Sequence, residues 1–134
     1  MPLLSILSNK SIKAKAKVEA ISNMLLEEEV SMENLVKAAK AWKDPDKANC
    51  IEALEFATKT KPELGTASCL AFVTGTLLEK APRIRWESAK VIGNIAHLYP
   101  TKLDDAVKNL LINSEHPEQW YAGVRHLHWV RSSN

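Results

Sequence analysis

Residues 82–95 read PRIRWESAKVIGNI, a proline followed by apolar residues at helical spacing. Proline has no N–H and a fixed φ, so it suits the first turn of a helix and disrupts the interior. From Pro82 the apolar positions Ile84, Val91, Ile92 and Ile95, continued by Leu98, fall on one side at a 3.6-residue period. Ala89, Gly93 and Ala96 form a second side of small residues. A helix apolar on two sides is held between neighbours on both, so Trp86, Ile92 and Ile95 are expected in the central core.

The same start signal recurs along the chain. Pro45, Pro62, Pro82, Pro100 and Pro117 lie 17, 20, 18 and 17 residues apart, with amphipathic sequence between them. Taken two at a time, the intervals match the length of one helix pair in a stacked helical repeat. Working outward, the ladder predicts helices over Pro45–Lys59, Pro62–Leu78, Pro82–Leu98, Pro100–Ile112 and Pro117–Arg131. Two more precede it, Ser11–Leu26 with Ala14, Val18, Ile21 and Leu25 inward, and one from Ser31 to about Trp42. Ser31 is the expected N-cap of that helix, and Glu27, Glu28 and Glu29 form a solvated turn before it. Nothing alternates with period two. The expected fold is all-α, with residues 1–9 as a lead-in and 10–131 as a single domain. The lead-in either packs Leu3, Leu4, Ile6 and Leu7 on the first helix or ends as a frayed arm.

Composition narrows the function classes. The 134 residues are 46% hydrophobic and 25% charged, enough for a real core within an ordinary water-facing surface. A net charge of +2, spread along the chain, is too weak a field for non-specific nucleic-acid binding. No apolar run reaches the roughly 20 residues that span a bilayer, and MPLLSILSNK lacks a signal peptide's basic start. Two cysteines, Cys50 and Cys69, do not make a disulfide framework, and a reduced, cytoplasmic setting is expected.

Pro82, Ile84, Arg85, Ala89, Ile92, Gly93 and Ile95 together resemble the first helix of a HEAT repeat, whose pattern runs proline, aliphatic, arginine, alanine, aliphatic, glycine, aliphatic. The other units are similar in period and pairing more than in motif. The resemblance implies a right-handed α-α superhelix of about three and a half helix pairs, first helices convex and second helices concave. It implies a non-enzymatic protein-binding scaffold, and it places Arg85 where such repeats tie adjacent units together. A second class is a nucleic-acid-binding protein or a HEAT-like DNA repair glycosylase, for which Arg83 and Arg85 beside Trp86 are the candidate contacts.

The most unusual stretch is 64–78, LGTASCLAFVTGTLL, with no charged residue. At ~100° per residue, Ala67, Leu70, Ala71, Val73, Thr74, Leu77 and Leu78 share one arc, and Gly65, Ser68, Cys69, Phe72, Gly75 and Thr76 the other. The second arc is expected to face the concave groove, with Ser68, Cys69 and Thr76 around a Phe72 anchor for a protein or peptide partner. Alternatively, the lead-in or a tighter superhelix covers it. Trp129, with Trp120, Tyr121, Leu127 and Val130, spreads apolar surface around the last helix. That end is a contact surface for a second copy, a homodimer first, or for another chain, or else its cover lies further along a longer array.

No cofactor or metal is expected. His126 and His128 are two apart and point to opposite sides of a helix, so they cannot share an ion. Asp104 and Asp105 open a helix and suit its dipole better than an acid/base pair. No phosphate-binding glycine loop or serine elbow occurs.

Overall fold

A computed structural model describes residues 2–112. The expected seventh helix, Pro117–Arg131, and with it Trp129, lies outside the described residues. Those described form α1 (Pro2–Ser8), α2 (Ala14–Leu26), α3 (Met32–Ala39), α4 (Asp46–Thr60), α5 (Ala67–Thr76), α6 (Pro82–Ile95) and α7 (Asp104–Ile112), with no strand among them. The chain is all-helical in this range.

The lead-in is a helix and not a frayed arm. Leu3 and Leu7 are buried and Ile6 is half-buried, α1 packs on α2, and Lys17 Nζ donates to the Leu7 carbonyl at 2.7 Å. α2 ends at a left-handed turn, where Glu28 takes φ 60° and the Glu29 N–H reaches Met24 O at 2.8 Å. Glu27, Glu28 and Glu29 are exposed there, as expected. Ser31 caps α3 by accepting the Asn34 N–H at 3.1 Å. α3 is shorter than expected because the N–H groups of Ala41 and Trp42 bond three residues back and tighten its last turn.

Pro45 precedes α4 and Pro82 occupies the first turn of α6, so two rungs of the ladder start helices. The others need correction. Pro62 opens a 3-10 turn, Pro62–Leu64, and the helix begins afresh at Ala67. Thr66 makes the break by accepting the Cys69 N–H at 3.3 Å as the true N-cap. Gly65 therefore lies between helices and not inside one. Pro100 stands in a turn, since α6 runs out through a 3-10 turn at Ala96–Leu98 and α7 waits until Asp104. Asp104 and Asp105 then sit in the first turn of α7, where negative charge suits the helix dipole.

The helices make two rows. α2 packs on α4 and α4 on α6, while α3 packs on α5 and α5 on α7; α5 against α6 joins the rows. Across the α4–α6 seam, Arg83 meets Asn49 and Glu52, Lys90 meets Glu55, and Asn94 meets Thr58. This ascending register means that α4 and α6 run in the same direction. Ile84, Val91, Ile92 and Ile95 of α6 are buried, as are Ile51 and Leu54 of α4 and Leu77 just past α5. Each fully buried side chain of this size contributes about 1.5–3 kcal/mol.

Trp86 departs from the expectation for α6. It is 39% exposed and not in the core, with the Lys90 ammonium 4.8 Å from its ring centre. The α4 side of the helix is taken by Glu87, Lys90 and Asn94, which leaves the indole outside.

Candidate interaction surface

The expected arc around Phe72 is not an open surface. Cys69, Phe72 and Thr76 are buried, Phe72 to 6% exposure, because α3, α6 and α7 all pack on α5. Thr76 Oγ1 shares a 2.6 Å hydrogen bond with Ser88 Oγ of α6, so its polar atom is satisfied inside the fold. Of the residues singled out there, only Ser68 is exposed, in a narrow strip with Ala67, Ala71 and Gly75. The cover comes from the neighbouring helices α3, α6 and α7.

The two candidate nucleic-acid arginines are also committed. Arg85 is buried, and its NH1 donates to the carbonyls of Glu79 and Lys80 at 3.0 and 2.7 Å, closing the turn into its own helix. Arg83 makes a tie to the neighbouring helix, donating to Glu52 Oε1 at 2.6 Å and Asn49 Oδ1 at 3.0 Å. Neither guanidinium is presented as an open phosphate contact.

Both cysteines are free and buried. Burial pushes the Cys69 thiol up to about 12, helped by the Glu33 charge, and pushes Cys50 higher still, helped by Cys69. Thiols in that state are inert packing groups. Among the described residues no group of three or more His, Cys, Asp or Glu is placed to hold a metal, and no helix is long and apolar enough to cross a membrane.

The row α2–α4–α6 carries a surface that sequence reasoning missed. On α4, Ala48–Ile51, Ala53–Glu55, Ala57 and Thr58 are buried, which leaves Glu52, Phe56, Lys59 and Thr60 as the outward stripe. Phe56 in that stripe is 48% exposed. It stands between two adjoining openings in the α2–α4 groove. One, of ≈ 330 Å³, is bounded by Lys15, Val18, Glu19, Glu52, Phe56 and Arg83. The other, of ≈ 310 Å³, is bounded by Glu19, Ser22, Asn23, Leu26, Phe56 and Thr60. Phe56 and Glu19 belong to both. From Ala14 to Leu26 the groove follows α2 for about 18 Å at ~1.5 Å per residue.

Its electrostatics are uneven. Glu52 is neutralised by Arg83, whereas Glu19 is exposed and has no ion pair among the described residues. The seam beside the groove is more heavily charged. Lys90 Nζ lies 3.5 Å from Glu55 Oε1 and 3.4 Å from Glu87 Oε1, and Asn94 Nδ2 donates to the Glu55 carbonyl at 3.1 Å. Glu87 is buried, and desolvation raises its pKa above the ordinary carboxylate range; Lys90 opposes the shift, while Glu52 and Glu55 add to it.

A raised native pKa means that the folded protein holds the proton more tightly than the unfolded chain. The associated stabilisation is complete below the unfolded pKa and is lost as pH rises through the folded one. Glu87→Gln is therefore expected to gain on the wild type as pH rises above the unfolded carboxylate's value of about 4.3 and through the raised folded one, with Glu55 still pairing Lys90. Thermal melts of both proteins at several pH values check this; a melting difference independent of pH would contradict it.

Comparison with protein families, with curated proteins and with solved structures returned no match to the chain.

Proposed function

We propose that this chain is a non-enzymatic interaction module, a short HEAT-like helical stack of the cytoplasm that holds a segment of another protein chain in its α2–α4 groove. The observation that carries the reading is Phe56, a large aromatic left half-exposed between two openings. Aromatic side chains set in pockets recur as anchors of protein interfaces, because they bring large contact area at little entropy cost. The two-row arrangement supports the HEAT-like part, since α2, α4 and α6 lie side by side as first helices of successive units would. The two buried free thiols are in keeping with a reducing compartment. The nucleic-acid reading loses its support with Arg83 and Arg85 engaged in the fold.

Photo-crosslinking tests the module reading. A benzoylphenylalanine at position 56 is expected to join a discrete partner chain in extract of the native host, and the same probe at Lys108, exposed on α7, is not. Identical product patterns from the two positions, or none from position 56, would remove the groove from consideration.

A further inference from the structure

The two edges of the stack beside α2 carry opposite charge, and the residues responsible are set against their own helix. A helix is suited by acid in its first turn and base in its last, opposite the poles of its dipole. α3 and α4 have both, with Glu33 and Lys37, and with Asp46 and Lys59; α7 opens on Asp104 and Asp105. α2 is inverted, with no acid in its first turn and no base in its last. Lys10, Lys13 and Lys15 are exposed around its start, and Glu27, Glu28 and Glu29 are exposed just past its end. None of these has an ion pair among the described residues.

From Ala14 to Leu26 the helix measures about 18 Å at ~1.5 Å per residue. The screening length is about 8 Å at physiological ionic strength, so the two edges do not neutralise each other within one copy. Nearby charges reverse neither sign. Lys17 at the first edge is bonded to the Leu7 carbonyl, and Glu19 lies along the helix between the edges. α3 leads back to the lysine edge, where Lys40 and Lys43 stand in the next turn with Asp44 and Asp46. α4 climbs beside α2 to the glutamate edge, where Lys59 and Lys61 are offset by Glu33 and Glu63.

Lysine at the positive pole and glutamate at the negative pole are both unfavourable inside a single copy. Both are relieved when the lysine edge of one copy meets the glutamate edge of another, because charges and poles are then opposite across the contact. A net charge of only +2 sets little overall repulsion against it. We infer that the lysine edge at residues 10–15 is an interaction surface for a second copy, whose turn at residues 27–29 it receives. The contact lies at the edges and does not depend on the α2–α4 groove. Its two surfaces differ, so copies add head-to-tail and close into a ring or continue as a filament.

Sedimentation velocity of the full chain over a concentration series, at about 0.01 M and 0.15 M salt, tests it. The average mass of the wild type is expected to rise with concentration, and to rise less at the higher salt. Lys10→Glu with Lys13→Glu makes both edges acidic, and Glu27→Lys with Glu29→Lys makes both basic. Each pair should weaken self-association about tenfold, since exposed ion pairs are lost and like charges face each other. Each should also melt at the wild-type temperature or above, because the new charges suit the dipole of α2. Mixed in equal amounts, the two variants should associate with one another. A wild type that stays monomeric at both salts, association unchanged by either pair, or a mixture that fails to associate overturns the proposal. So does a lowered melting temperature in both variants, which would show that the charges serve the fold of a single copy.

Discussion

Ile92→Ala is expected to destabilise the protein by about 2–5 kcal/mol, the range for truncating a large aliphatic side chain in a closed core. Ile92 is fully buried in the helix that packs on both α4 and α5, so the void is walled on both sides and neighbours cannot collapse into it cheaply. Trp86 on the same helix supplies the contrast. Its ring is large, yet it stands at the surface under Lys90. Exposed cation–π contacts are worth about 0.5–1 kcal/mol, so Trp86→Ala should cost far less than Ile92→Ala. Urea unfolding of the two variants gives the comparison directly. A loss below about 1 kcal/mol for Ile92→Ala, the size of an ordinary surface effect, would contradict the position assigned to α6.

The second large effect is expected at Gly65. A methyl group there would run into Ile95 Cγ2, with Ile95 Cβ and Cδ1 each 3.0 Å away. The backbone cannot step aside easily, because Tyr99 Oη donates to the Gly65 carbonyl at 2.8 Å. Its φ of −76° is open to any residue, so the constraint is one of space alone. Gly65→Ala is expected to cost about 1–3 kcal/mol, as overpacking does elsewhere. In an Ile95→Ala background the same substitution should cost much less, and a double-mutant cycle by denaturant melts measures the coupling. Additive costs would show that the two residues do not share the space.

How far the sequence spoke depended on the range of the interaction involved. Ser31 and the starts at Pro45 and Pro82 are local matters of backbone N–H groups and φ, and they were legible. Thr66 was legible in principle, but the uncharged run around it reads as one unbroken helix. The lead-in left two outcomes open, since Leu3 and Leu7 mean little without α2 to receive them. The α5 and α6 errors have a single cause. A helical wheel finds apolar arcs but does not say which arc a neighbouring row will cover, and here both large-residue arcs of α5 are covered while Trp86 is not. Phe56 went unnoticed because Leu54 and Ala57 beside it are ordinary core residues. The available signal was its place in the stripe Glu52, Phe56, Lys59 and Thr60, one aromatic among polar neighbours at helical spacing.

Arg83 occupies two surfaces at once, since the bond from its guanidinium to Glu52 both closes one end of the groove and fastens α6 to α4. A cationic guest that draws on Glu52 must compete with Arg83 for the same carboxylate, so occupancy and helix fastening are thermodynamically linked. Linkage is reciprocal. On the proposed reading, the factor by which a guest loosens the α4–α6 fastening is also the factor by which a firmer fastening repels that guest.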